Sequence, residues 1–130
     1  MLETLLNQTA APTLTRSLNF TAARHAVLAE NIVNASTPGY KTKDLDVAGF
    51  QHALRERINH KSKRGTVDQS DVQFERSTDT RALTFHDGNN RSMEQLMSDS
   101  TENAMRHNMS IELLRKQYGL FHMAVRERVA

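Results

Sequence analysis

Leu28-Ala29-Glu30-Asn31-Ile32-Val33-Asn34-Ala35-Ser36-Thr37-Pro38-Gly39-Tyr40-Lys41 carries the end of an apolar helical stripe and the signal that stops it. Pro38 steers Thr37 away from helical backbone angles. With Pro38 and Gly39 as the central pair, Thr37 to Tyr40 suits a type II turn, because proline presets its φ and glycine accepts the positive φ that follows. Asn31 and Asn34 lie three apart on one face, beside the free carbonyls of the last helical turn. Amide side chains there bond backbone groups and lock the turn.

Upstream of the turn, Ala11, Leu18, His25 and Ile32 form one row of a seven-residue pattern and Leu14, Thr21, Leu28 and Ala35 the other. The two rows line one helical face, which predicts a helix over 11–35. Pro12 is tolerated because it falls in or just before the first turn. A second helix is expected from Ser92, where Ser92-Met93-Glu94-Gln95 has capping-box spacing, to about Arg128. Its expected stripe is Met93, Met97, Ser100, Ala104, His107, Ile111, Leu114, Tyr118, Phe121 and Val125, in coiled-coil-like steps of three and four. Gly119 lies within this helix and reads either as room for close approach of another helix or as a weak spot in it. The first helix spans roughly 35 Å and the second roughly 55 Å. The longer helix therefore has an apolar surplus for neighbouring subunits to cover, with Leu2, Leu5 and Leu6 covering part of it.

Residues 41–90 lack a long period and mix Gly, Asp, Ser, Thr and Asn through short apolar pairs. Phe50, Leu54 and Ile58 have the spacing of two or three helical turns, and Val72/Phe74 with Leu83/Phe85 alternate like the strands of a small ribbon. The expected fold is mainly α: an antiparallel, coiled-coil-like pair of long terminal helices around an irregular middle holding a short helix and a β-ribbon. The division is 1–40 for the N-terminal helix and turn, 41–90 for the middle and 91–130 for the C-terminal helix, with the termini forming one helical domain.

At 130 residues one domain is expected. A hydrophobic fraction of 38% with no Trp leaves a thin core of aliphatic residues, of the kind that finishes its burial by assembling. The net charge of +2 is too small to be a nucleic-acid footprint. Residues 41–64 hold seven Lys and Arg against three Asp and Glu, a local +4 that reads as a solvated loop, with contact to an acidic protein neighbour or to nucleic acid as the alternatives. With no Cys, disulfides and thiolate metal sites are ruled out. The six His show no metal-ligand spacing, and no nucleophile elbow or phosphate loop stands out, so no metal, cofactor or enzymatic activity is expected. His25 and His107 sit on the two stripes, where an interior or interfacial histidine is the ordinary reading, and the register leaves open whether the two meet across the hairpin. No cleaved signal peptide and no membrane-inserting segment is read in the sequence.

The run from Leu28 to Tyr40, an Ala-rich helix, then Asn, a variable pair, Asn-Ala and Thr-Pro-Gly-Tyr, resembles the signature of the flagellar rod and hook proteins. The chain's size, its terminal helices and the ending from Glu102-Asn103 through Leu113-Leu114 to Val125 resemble the short proximal-rod members of that family. Glu30 departs from an Asn often found there, and Val33 stands where the family carries a small Ala. The resemblance implies a non-enzymatic rod subunit in the periplasm, exported by the flagellar type III apparatus without a cleaved signal peptide. Its implied partners are copies of itself, other rod proteins and the junction protein between membrane ring and rod, with no nucleic acid. Asn31, Asn34, Thr37, Pro38, Gly39 and Tyr40 would form the assembly turn, and Leu28, Ile32, Ile111, Leu114, Tyr118 and Phe121 the packing surface. The alternative is a free-standing helical oligomeric module making weak nucleic-acid contact through 41–64.

Overall fold

The first helix, α1, runs Ala11–Val33 in a computed structural model of the chain, which describes residues 9–64, 76–78 and 93–129. Pro12 sits in its first turn, where the missing N–H costs no helical bond. The Ala11 N–H is satisfied instead by the Thr9 hydroxyl at 3.2 Å. After the turn come a short strand β1 (Lys43–Leu45), a helix α2 (Val47–Arg64), a strand β2 (Arg76–Thr78) and the long helix α3 (Met93–Val129). The strands pair antiparallel, with Lys43 opposite Thr78 and Leu45 opposite Arg76.

Helix α1 is buried on two adjacent faces. Phe20, Arg24, Val27 and Asn31, in steps of four, three and four, all lie buried on one of them. This face meets β1 and α2: Phe20, Val27, Leu45 and Phe50 form the core, flanked by Ala23, Val47 and Leu54. The Phe20 and Phe50 rings stack with centroids 4.1 Å apart and planes 7° from parallel. Asp46 starts α2 by accepting the Gly49 N–H at 2.9 Å through its carboxylate. A Cβ on Gly49 would collide with that carboxylate, so a small residue serves the cap.

The second face of α1 carries Leu14, Ser17, Thr21 and Leu28 and packs along α3, which runs antiparallel to it. Much of this seam is polar. Ser110 donates its hydroxyl to the Arg106 carbonyl at 2.9 Å, so at the 3.2 Å Ser17–Ser110 contact it accepts from Ser17. Thr21 likewise donates to the Leu18 carbonyl and therefore accepts from His107 Nδ1–H at 2.9 Å, which sets the histidine tautomer. Asn103 donates to the Thr21 carbonyl at 2.8 Å from a fully buried position.

The pair of long terminal helices is as expected, but the stripe of α3 is shifted. Its buried line is Leu96, Asp99, Asn103 and Ser110, continued by half-buried His107, Ile111, Leu114, Gln117 and Phe121. Met93, Met97, Ala104, Tyr118 and Val125 are exposed. Apolar periodicity misleads here because polar side chains hydrogen-bonded across the seam occupy the inside. His25 is exposed and does not meet His107, since α1 turns the Arg24 edge inward rather than the His25 edge. Residues 41–64 are not a solvated loop but β1 and most of five turns of helix. The ribbon exists, yet one of its strands is Lys43–Leu45. Val72/Phe74, Leu83/Phe85, Ser92 and Leu2, Leu5 and Leu6 lie outside the described residues.

Replacing Phe50 with Ala should lower the unfolding free energy by about 3 kcal/mol, because it removes the ring stacked on Phe20 and leaves a void in a small core. Urea denaturation followed by circular dichroism measures it; a loss under about 1 kcal/mol would contradict this packing.

Candidate functional site

The helix-end turn is built as its residues dictate. Gly39 has φ of +73°, and the Tyr40 N–H returns to the Thr37 carbonyl at 3.2 Å, the closing bond of a turn with glycine in the left-handed position. Nothing lies within 4 Å of a Cβ built on Gly39. The glycine is therefore required by backbone conformation rather than by space. Asn34 closes the helix itself: its backbone N–H and its side-chain Nδ2 both donate to the Glu30 carbonyl, at 3.1 and 2.9 Å. Its own carbonyl then accepts the Thr37 N–H at 2.9 Å.

Asn31 does something else. Its Nδ2 donates to the Lys43 carbonyl at 2.6 Å, while its Oδ1 accepts the Lys43 N–H at 3.0 Å and the Tyr40 hydroxyl at 3.0 Å. The side-chain amide thus pairs with Lys43 as a neighbouring strand's peptide would, and satisfies both of its backbone groups. Only 1% of Asn31 is exposed, so these bonds are made away from competing water. The expectation that both asparagines serve the helix's last carbonyls holds for Asn34, whereas Asn31 crosses to the strand. Lys43 also extends over the Tyr40 ring, with Nζ 5.9 Å from its centroid, and reaches Glu30 at 3.5 Å.

Two turns earlier in α1, Arg24 forms a buried, two-point ion pair with Asp44, Nε to Oδ1 at 2.9 Å and Nη2 to Oδ2 at 2.7 Å. Asp44 Oδ1 also accepts the Leu45 N–H at 2.8 Å. The Asp44 hydrogen bond raises the Arg24 pKa beyond its ordinary high value, burial opposes it, and Asp44, Asp99 and Glu102 add further attraction. The cation is therefore held permanently charged. Arg24 and Asp44 were not among the residues singled out from sequence. The available signal was spacing: Arg24 is seven residues before Asn31, which puts both on the face that meets β1.

Among the packing residues, Leu28 is fully buried and Ile32, Ile111, Leu114 and Phe121 are half-buried. Tyr118 is 45% exposed; it and the exposed Val125 follow half-buried Leu114 and Phe121 in steps of four along α3. Val33 is 81% exposed, so the side chain larger than the family's usual Ala meets no neighbour within this chain's fold.

No family model matches the chain. Curated relatives do. The chain is 30% identical to the flagellar basal body rod protein FlgB of Aeromonas hydrophila, over 75% of this chain and 78% of that protein. This chain belongs to the FlgB family of flagellar basal-body rod proteins. The FlgB proteins of Escherichia coli K12 and Shigella flexneri are each 28% identical to it, over 78% of the chain and 81% of their own length. Among the described residues, no helix is long and apolar enough to cross a membrane.

Arg24→Met should destabilise the fold by about 3–5 kcal/mol by leaving the Asp44 carboxylate buried without its partner, and the double variant Arg24→Met/Asp44→Leu should recover most of that loss. The four unfolding free energies of this cycle measure the coupling; additive single effects would contradict a buried pair.

Proposed function

We propose that this FlgB-family chain is a structural subunit of the proximal rod, which associates with copies of itself and with other rod proteins to link the membrane ring to the distal rod. The observation that carries the reading is the continuation of one apolar line on α3 beyond α1. Ile111 and Leu114 are half-buried against α1, while Tyr118 and Val125 of the same line stand exposed with no α1 alongside. A monomer gains nothing from that arrangement, whereas an assembly buries it at about 25 cal/mol per Å² of apolar surface. Asn31, Asn34, Thr37, Pro38, Gly39 and Tyr40 act as the assembly turn by fixing where the chain leaves α1, and Leu28, Ile32, Ile111, Leu114, Tyr118 and Phe121 form the packing surface. The junction protein between membrane ring and rod is the neighbour on the membrane side. The subunit reaches the periplasm through the flagellar type III apparatus.

A nucleic-acid role for 41–64 has less support, because this segment turns Leu45 and Phe50 into the core and Lys43 is drawn to Glu30 of α1. Binding to DNA that falls steeply between 50 and 200 mM salt would revive it.

Deleting the gene in its host should abolish basal bodies beyond the membrane ring, seen by electron microscopy; intact, motile flagella would refute the rod role. Gly39→Val, which forces a branched side chain to a positive φ at a cost of at least about 1 kcal/mol, should impair rod assembly and motility. Normal swimming in that strain would remove the turn from the assembly role.

A further inference from the structure

The face of α3 turned away from α1 carries its own regular pattern. Glu102, Met105, Met109, Glu112, Lys116, Gly119, Met123 and Arg126 follow one another in alternating steps of three and four, and every one of them is exposed. Met105, Met109 and Met123 are each more than half exposed. This is the spacing of a coiled-coil seam, on the side of the helix opposite the one that α1 covers.

The pattern is also self-complementary when reversed. In an antiparallel pair whose twofold axis passes beside residue 114, Glu102 faces the partner's Arg126, Met105 its Met123, Met109 its Gly119 and Glu112 its Lys116. The same pairs then recur on the other side of the axis. Four acid–base contacts and four apolar contacts result, with no like charges opposed. In a parallel, in-register pair, Glu102, Glu112, Lys116 and Arg126 would each face their own copy, and like charges would exclude it.

Gly119 supplies a separate indication. A glycine within a helix is unfavourable, and a Cβ there would meet nothing within 4 Å, so the packing among the described residues gives no reason for it. Opposite a methionine of a second helix, its missing side chain makes the room that Met109 fills. The methionines themselves suit such a contact because they are flexible and polarisable. Glu102 and Glu112 already hold Arg106 and Arg115 within the helix, at 2.6 and 3.0 Å, but these pairs are solvent-exposed and leave the second carboxylate oxygen for a partner.

We propose that the outer face of α3 is a docking surface for a second copy of this chain, which binds antiparallel through the Glu102–Arg126 seam to give a closed twofold dimer. Such an interface is isologous and stops at two, unlike the head-to-tail contacts that extend a rod. The proposal stands apart from the rod role: a strictly monomeric chain that still built rods would remove the dimer and leave the assembly reading intact.

The full chain should sediment as a dimer at micromolar concentration in about 50 mM salt, where charged contacts are weakly screened. Lys116→Glu and Glu112→Lys, each opposing like charges twice, should weaken the dimer at least about tenfold. The double variant, or an equimolar mixture of the two single variants, should restore it. Because the chain has no cysteine, orientation can be read by crosslinking. Met105→Cys mixed with Met123→Cys should form disulfide-linked pairs, and Met105→Cys alone should not. A monomer at all concentrations, self-crosslinking of Met105→Cys as in a parallel pair, or open-ended ladders from Met109→Cys/Met123→Cys as in a staggered array would each overturn the proposal.

Discussion

The buried amide of Asn31 is the point at which helix, turn and strand become one object. An isolated three-residue strand has little reason to persist, and β1 needs partners for its backbone on both edges. On one edge β2 supplies them, and on the other the Asn31 side chain takes both polar groups of Lys43. Because Tyr40 also bonds the same Oδ1, the turn between them is held from inside as well as by its own backbone. Arg24 and Asp44 repeat the connection two helical turns away. The pair places β1 laterally against α1 so that Leu45 enters the core beside Phe20 and Val27. Aspartate, asparagine and arginine thus do the positioning, and a small set of apolar residues fills the space they define.

How much of this could be read in advance depends on the range of the interaction. The turn was legible because Pro38 and Gly39 restrict their own backbone, whatever surrounds them. The two long helices were legible because their periodicity extends over several turns. The inside of α3 was not, since Asn103 and Ser110 look like surface residues until Thr21 and Ser17 are placed opposite them. The second buried face of α1 was missed for a related reason. Arg24 and Asn31 interrupt its apolar pattern, and only the folded neighbour β1 shows that they belong inside. Likewise Asp44 and the lysines around it look like one basic loop when charges are counted along the chain, but in space the acid turns inward and the cations outward.

Membership in the FlgB family accords with a fold that is finished in some places and open in others. The site around Asn31 has its polar groups met within the chain. Helix α3, by contrast, has three characters around its circumference and along its length: a polar seam bound to α1, an apolar continuation beyond it, and a methionine-bearing outer face. A helix of 37 residues beside one of 23 gives each character room.

The polar nature of the α1–α3 seam has a consequence for the order in which the protein forms. Everything that fixes the turn comes from one continuous stretch: Asn31 and Lys43 are twelve residues apart, Arg24 and Asp44 twenty. The contacts of α3 with α1 close loops of more than eighty residues. Short loops close at lower entropic cost, so α1, the turn, β1 and the start of α2 can condense as a local nucleus before α3 arrives. The last helix then docks onto a template whose hydroxyls and amides already mark its register. A chain delivered end first would have that template ready while its C-terminal helix was still to come.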